Sequence, residues 1–285
     1  MFNTTTLKPQ NLVQNTNSKT HLTNHCFGIR RGKNLIEVVK ATGENTNPHS
    51  HISILQDTTQ RNQSRINKID RKESYIVYDL FYESSTIYQV KSLDGLLITH
   101  IDNDHFSRPT CTHVKDVCKK YYAPNYVADV MNEEGYDTKK CDIHESFEIN
   151  DLKITLTPAK HNWQNGVKKW QYRYWEEKDY CGYWIEAIEG NIWIPGDSKL
   201  IDEHLHMDQP DVILFDFADN EWHITFEGAV KLANTYPEAD LICIHWGSVD
   251  APEMTPFNGN PEDLSTRVVN PERIKVLAPG EKYSL

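Results

Sequence analysis

The sequence predicts a single large α/β domain. Four short apolar runs, at residues 95–98, 152–157, 190–195 and 241–244, have the pattern of buried or half-buried strands. Residues 226–233 have the pattern of a helix. A chain of 285 residues can bury a sizeable core, and one α/β domain of about 250 residues is ordinary in size.

The first strand-like run is followed by four potential metal ligands within six residues: His100, Asp102, Asp104 and His105. Side chains alternate along an extended backbone, so His100, Asp102 and Asp104 can point to one side with His105 beside them. Imidazole suits zinc, iron and manganese, whereas carboxylate favours harder ions. Four such residues together favour a metal site over a polar loop.

Each of the other three runs leads into a further potential ligand. His161, Asp197 and His245 each come within four residues of the end of a run. Strand ends converge on one edge of a sheet, and loops held there carry function. We therefore expect these three residues to join the first four in one cleft.

The order of these seven residues resembles that of the metallo-β-lactamase superfamily. The pattern is His-x-Asp-x-Asp-His at 100–105, then His161, then Gly-Asp-Ser at 196–198 and Ile-His-Trp-Gly at 244–247. Within the superfamily, residues 181–186 and the turn at 223–225 are most similar to the branch that holds ascorbate-6-phosphate lactonase and N-acyl-phosphatidylethanolamine phospholipase D.

The resemblance covers about residues 47–285 and implies the αββα sandwich of that superfamily. Residues 47–55 and 75–81 resemble its first core strands. Residues 1–46 are predicted to form an N-terminal extension, with a Thr- and Asn-rich tail and an added hairpin around 31–34.

The resemblance also implies two divalent metal ions. The first would be held by His100, Asp102 and His161, and the second by Asp104, His105 and His245, with Asp197 bridging. The family usually has histidine where this chain has Asp102, and a carboxylate there shifts the expected metal from zinc alone toward manganese or iron. The flavodiiron branch also has an acid at this position.

The implied activity is that of a metal-dependent hydrolase. Two metal ions would activate a water molecule against a phosphodiester or a phosphorylated lactone or ester. Asp104 is expected to orient that water or accept its proton, and His223 to stabilise a developing oxyanion. Two alternatives stay open: a diiron protein that handles oxygen or peroxide, and a non-catalytic binding protein on the same fold.

An aromatic and basic run directly after His161 is predicted to wall the substrate pocket. Cations there could grip a phosphate or carboxylate, and rings could stack on a base or sugar. The alternative is a hairpin that packs its aromatic rings on the core and leaves its cations in solvent. The predicted substrate residues are Trp163, Lys168, Lys169, Trp170, Arg173 and, from the last ligand strand, Trp246.

Charge and composition restrict the partners. The net charge is −11 without a basic stripe, which argues against duplex nucleic acid as the habitual partner. A nuclease for short or single-stranded substrates stays open, since metal ions could supply local positive charge. The basic run after His161 favours a small anionic substrate. No apolar run approaches the ~18 residues of a membrane span. The N-terminus lacks the features of a signal peptide and the six cysteines are scattered, so we expect a cytoplasmic protein. A homo-oligomer is left open.

Overall fold

The computed structural model of the protein describes residues 27–32, 35–40, 74–78, 92–246, 259–277 and 282–285. The predicted tail at 1–24 and the predicted core strand at 47–55 lie outside these residues. The strands of the described residues are β1 (Phe27–Gly32), β2 (Leu35–Lys40), β3 (Ser74–Tyr78), β4 (Gly95–Leu97), β5 (Tyr121–Pro124), β6 (Thr138–Cys141), β7 (Ser146–Ile149), β8 (Leu152–Pro158), β9 (Cys181–Ala187), β10 (Gly190–Ile194), β11 (Val212–Asp216), β12 (Asp240–Ile244), β13 (Ile274–Lys275) and β14 (Lys282–Ser284).

These strands form two sheets of seven. The first has the order β14-β2-β1-β3-β4-β5-β6, and the second has the order β13-β12-β11-β10-β9-β8-β7. The α-helices of the described residues are α1 (Arg108–Val114), α2 (Asn125–Glu133), α3 (Phe226–Thr235) and α4 (Pro261–Ser265). The four apolar runs that the sequence singles out correspond to β4, β8, β10 and β12, and the predicted helix corresponds to α3.

The predicted N-terminal hairpin corresponds to β1 and β2. The two strands pair antiparallel, from Phe27 opposite Lys40 to Gly32 opposite Leu35. β1 also pairs with β3, and β2 pairs with β14, so the hairpin is part of the first sheet. The proposed domain boundary at residues 46 and 47 stays a prediction.

Both faces of the second sheet are buried at β11 and β12, which explains why these two strands are nearly continuous apolar runs. In β11, Val212 and Leu214 join a cluster that also contains Leu97 of the first sheet, so this cluster lies between the sheets. The alternate residues Ile213 and Phe215 belong to a second cluster with Leu232 of α3.

The outer face of the first sheet has its own helical cover. Leu96 and Ile98 cluster with Cys111 of α1 and with Val127 and Met131 of α2. Helices therefore cover the outer faces of both sheets, and the structure confirms the predicted αββα sandwich. No helix in the described ranges is long and apolar enough to cross a membrane.

A candidate metal centre at the strand ends

The predicted ligands meet where strands of both sheets end. His100 and His105 lie in the turn that follows β4, and His161 lies just past β8. Asp197 follows β10, and His245 follows β12. All five side chains are buried, although they come from segments far apart in the chain.

The backbone before Asp197 requires glycine. Gly196 has a φ of +73°, which side chains rarely allow, and a Cβ there would lie 2.6 Å from the carbonyl oxygen of Cys181. His245 also has a positive φ, of 51°. A non-glycine residue in this conformation is uncommon and is typical of functional sites, where the surrounding structure holds it in place.

Asp197 is the centre of one half of the site. Its Oδ2 lies 3.0 Å from Nε2 of His105, 3.3 Å from Nε2 of His223 and 3.7 Å from Nε2 of His245. Ligand atoms of Asp197, His223, His245 and also Asp216 all lie within 4.8 Å of one another. Three imidazole nitrogens therefore surround one carboxylate oxygen.

The other half of the site lies around Asp102. Its Oδ2 is 3.5 Å from Nε2 of His100 and 3.7 Å from Nε2 of His161. Ligand atoms of His100, His161 and Asp197 lie within 4.8 Å of one another, so Asp197 connects the two halves. Asp104 lies in the same turn as Asp102 and is half-buried, but its carboxylate belongs to neither of these sets of described residues.

The outward-facing nitrogen of each histidine lies near a polar group of the protein, and two of the histidines share one. The Thr99 hydroxyl lies 3.0 Å from Nδ1 of His100 and 3.3 Å from Nδ1 of His105. A hydroxyl oxygen has two acceptor lone pairs, so it can accept from both rings. The carbonyl oxygen of Trp222 lies 3.0 Å from Nδ1 of His161 and accepts a hydrogen bond from it.

The remaining two histidines are held in the same way. Asn220 Oδ1 accepts from the backbone N–H of Trp222 at 2.9 Å, and so it must also accept from Nδ1–H of His223, at 2.8 Å. Nδ1 of His245 lies 3.3 Å from Oδ1 of Asp216. With a proton on Nδ1, the rings of His161 and His223 turn Nε2 toward the site.

This arrangement fits a cation. Nε2 of His100 is buried and has no hydrogen-bond partner among the described residues. The Nε2 lone pair of a neutral His161 faces the ionised carboxylate of Asp102 at 3.7 Å, and the two would repel each other unless a positive charge lay between them. Imidazole nitrogen and carboxylate oxygen are also the donor types that zinc, manganese and iron accept.

The protonation states differ between the residues of the site. Burial lowers the pKa of His245, but the carboxylates of Asp197 and Asp216 outweigh it and hold that pKa above its ordinary value. Burial raises the pKa of Asp197, but the charges of His105 and His245 outweigh it and hold that pKa well below its ordinary value. Burial also raises the pKa of Asp102, but the hydrogen bond and charge of His100 and the charge of His161 outweigh it, so this pKa too lies below its ordinary value. Burial, followed by the charge of His223, lowers the pKa of His161 to about 3. At neutral pH the site therefore combines ionised carboxylates with a neutral His161.

The predicted substrate residues separate into groups. Trp163 contacts a predicted metal ligand, since its Nε1 donates to Oδ2 of Asp102 at 2.7 Å. Arg173 lies over the ring of Tyr126 at 3.8 Å and pairs with Asp179 at 3.1 Å. Its cation is thus neutralised within the protein.

Three of the other four predicted substrate residues are exposed. Lys168 and Lys169 are exposed, and Lys169 lies over the ring of Trp170 at 4.7 Å. Trp170 is 50% exposed. Trp246 is partly buried and packs against the cluster beneath α3. These four stay predictions as substrate contacts.

Sequence reasoning missed several residues that orient the ligands. Asp216 at the end of β11 is the one with a readable signal, because it follows an apolar run in the same way as Asp197 does. Thr99, Gln164 and Asn220 carry no such signal, since each is an ordinary polar residue until the fold places it beside a ligand.

The comparisons with known proteins agree with this geometry. Residues 80–246 match the family model described as "Beta-lactamase superfamily domain". The match spans more than half of the chain and includes both halves of the site, so the protein belongs to the metallo-β-lactamase superfamily. A comparison with curated proteins gave no significant match.

Solved structures of this fold are similar at low sequence identity. Igni18, a metallo hydrolase from the archaeon Ignicoccus hospitalis, has a TM-score of 0.60 and 15% identity, covering 91% of this chain and 98% of that chain. An isothiocyanate hydrolase from Delia radicum gut bacteria has a TM-score of 0.57 and 16% identity, covering 74% of this chain and 92% of that chain.

A redox protein is also similar in fold. CmlA, a diiron β-hydroxylase from Streptomyces venezuelae, has a TM-score of 0.60 and 12% identity, covering 91% of this chain and 54% of that chain. At these identities the likeness concerns the fold, and the chemistry has to be argued from the site of this chain.

Proposed function

We propose that the protein is a hydrolase that uses two divalent metal ions against a small anionic substrate. The observation that carries this proposal is the convergence of five imidazole Nε2 atoms on Asp102 and Asp197 with every Nδ1 turned outward. Such an arrangement is costly without a cation, because it buries two ionised carboxylates in one cleft, one of them beside the Nε2 lone pair of a neutral His161.

The residues would divide between two ions. His100, Asp102 and His161 would hold one, and Asp104, His105 and His245 the other, with Asp197 shared. When bound, the ions supply an activated water and positive charge for the oxygens of the substrate. The half-buried carboxylate of Asp104 is the group that would orient the attacking water and accept its proton. Because Asp102 adds a second hard ligand, manganese or iron is favoured over zinc.

The proposed substrate is a phosphodiester or a phosphorylated lactone or ester. The exposed Lys168 and Lys169 offer positive charge on the segment that follows His161, and Trp170 and Trp246 offer rings. The resemblance of residues 181–186 and 223–225 to the lactonase and phospholipase D branch supports the same substrate classes.

A second candidate is a diiron protein that handles oxygen or peroxide. The carboxylate at Asp102 favours iron, since two imidazoles and one carboxylate form a common set of ligands for non-haem iron. The similarity in fold to a diiron β-hydroxylase adds support.

Metal analysis of the purified protein, followed by assays on phosphodiesters and lactones with manganese, zinc or iron, tests both candidates. Hydrolysis that disappears with a chelator and returns with two metal equivalents supports the hydrolase. Consumption of oxygen or peroxide by the iron-loaded protein, without hydrolysis, supports the diiron candidate. Tight binding of a phosphorylated ligand with no turnover of either kind would overturn both and indicate a binding protein.

A further inference from the structure

The short 3-10 helix Trp163–Gly166 holds the unusual ligand position with two hydrogen bonds. Nε1 of Trp163 donates to Oδ2 of Asp102 at 2.7 Å, and Nε2 of Gln164 donates to Oδ1 of the same carboxylate at 2.7 Å. Each oxygen of Asp102 thus receives one donor from adjacent residues. Both come within three residues of the predicted ligand His161.

The orientation of Gln164 is itself fixed. The Tyr180 hydroxyl donates to Oε1 of Gln164 at 2.6 Å, so the amide nitrogen must face Asp102. Gln164 is 3% exposed and Tyr180 is 1% exposed, so water does not compete freely for these groups. The ring of Tyr180 also lies 5.7 Å from that of His100 and 5.9 Å from that of His161.

Two donors aimed at one position select a carboxylate. An ionised carboxylate has about four acceptor positions on its two oxygens, so Asp102 can receive both donors and still bind a cation through Oδ2. A neutral imidazole has one acceptor nitrogen, which a metal ion would use. Histidine at position 102 would leave one or both buried donors without a partner.

We propose that Trp163 and Gln164, with Gln164 oriented by Tyr180, are positioning residues that fix Asp102 as a metal ligand. The superfamily usually has histidine at the position of Asp102. An aspartate can replace it here because the 3-10 helix Trp163–Gly166 supplies the two donors that hold its carboxylate. This inference rests on the proposed metal-binding function and adds that the role of Trp163 lies with the metal ligand and not with the substrate.

The surrounding packing fixes the position of the 3-10 helix relative to the ligand His161. A Cβ on Gly166 would lie 2.7 Å from Cη2 of Trp222, so the helix packs directly against that ring. The carbonyl oxygen of Trp222 in turn accepts from His161. The helix and the ligand His161 therefore share one support.

Removal of each donor tests the proposal. The variant Gln164→Met keeps the size of the side chain and Trp163→Phe keeps an aromatic ring, and each loses its hydrogen bond to Asp102. Manganese titrations followed by calorimetry and electron paramagnetic resonance would measure the affinity of each ion and the spectrum of the bound metal. Loss of a residue that orients a metal ligand typically costs 10–100-fold in affinity, and we expect this for one of two ions.

Matched controls come from the same segment. Trp170→Phe and Gln171→Met make the same chemical changes at exposed positions, and both should bind manganese with the affinity of the parent protein. Thermal unfolding of the metal-free proteins would show that all variants fold. Parent-like affinity and spectrum in both Trp163→Phe and Gln164→Met would overturn the inference while leaving the proposed function intact. Failure of the parent protein to bind metal would overturn the proposed function itself.

A compensating pair gives a stricter test. Asp102→His alone should bind the first ion weakly, because the donor of Gln164 faces the new ring. Adding Gln164→Glu supplies a carboxylate that can accept the Nδ1–H of that ring, as carboxylates commonly do for histidine ligands. We expect the double variant to bind the first ion at least tenfold more tightly than Asp102→His. Equal affinity of the two variants would show that position 164 does not select the ligand.

Discussion

At the scale of single residues, the site is defined by the outward partners of its histidines. Thr99, Asn220, Asp216 and the carbonyl oxygen of Trp222 each contact an Nδ1 atom. These contacts decide which nitrogen faces the cleft, and they need partners of different types. Only one of them, Asp216, brings a charge, which makes it the contact whose contribution is easiest to measure.

We predict a graded loss of metal affinity when Asp216 is changed. Asp216→Asn keeps an oxygen near Nδ1 of His245 and loses the charge, whereas Asp216→Ala loses both. Since partners of ligand histidines typically contribute 10–100-fold in affinity, Asp216→Ala should weaken one ion by that factor, and Asp216→Asn by less. Titrations with manganese would measure both, with Asp211→Ala, an exposed acid before the same strand, as the control. Equal affinities for the parent and Asp216→Ala would contradict the orienting role.

At the scale of elements, two of the ligand-bearing strand ends are each supported by a short 3-10 helix. The helix Trp163–Gly166 supports the turn after β4, and the 3-10 helix Asp202–Leu205 supports the end of β8. In the second case Nε2 of the buried His204 donates to the carbonyl oxygen of Pro158 at 2.9 Å.

We predict that His204 makes the folded protein less stable in acid. Burial lowers its pKa to about 4, although the hydrogen bond to Pro158 acts in the opposite direction. The unfolded chain takes up a proton on this ring below about pH 6.5 and the folded protein only below about pH 4, so the unfolded state binds more protons in this window. The free energy of unfolding should therefore fall by up to about 3 kcal/mol as the pH drops from 6.5 to 4.

The variant His204→Gln isolates this contribution, because an amide can still donate to Pro158 and does not titrate. Urea unfolding at several pH values should show a smaller fall in stability for His204→Gln than for the parent. Parallel curves for the two proteins between pH 6.5 and 4 would show that His204 does not govern acid stability.

We predict that the cations of segment 167–175 make a modest electrostatic contribution to substrate binding. Lys168 and Lys169 are exposed, so each should contribute at most about 1 kcal/mol to the binding of an anion. Replacing both with alanine should raise KM several-fold, reduce its dependence on salt and leave the metal content unchanged. Arg173→Lys should instead lower thermal stability, because it disturbs the contacts with Tyr126 and Asp179. An unchanged KM in the double lysine variant would place the anion site elsewhere, with Trp222 and Trp246 the next positions to test.

At the scale of the whole molecule, the sandwich brings together strand ends that the sequence identifies and side chains that it does not. The strands β4, β8, β10 and β12 were predictable because apolar periodicity and a polar residue at the end are both local signals. The roles of Trp163 and Arg173 were not. A run of rings and cations does not show which side chain turns toward Asp102 and which toward Asp179. That choice depends on contacts between distant segments, as the bond from Tyr180 to Gln164 illustrates.

Because the site is built from segments that are distant in the chain, we predict that metal ions stabilise the entire domain. The site joins segments from both sheets, and unfolding would separate them, so ions should bind the folded state far better than the unfolded chain. An ion at 100 times its Kd would add about 2.7 kcal/mol to the free energy of unfolding. In a domain of this size each kcal/mol corresponds to about 2–4 °C in Tm, so chelation should lower Tm by several degrees and manganese should restore it. Asp197→Asn, which removes the charge shared by the two halves, should show little or no response to manganese. The same Tm for the parent protein with chelator and with saturating manganese would mean that no ion binds at the strand ends, and both the metal site and the hydrolase proposal would then be wrong.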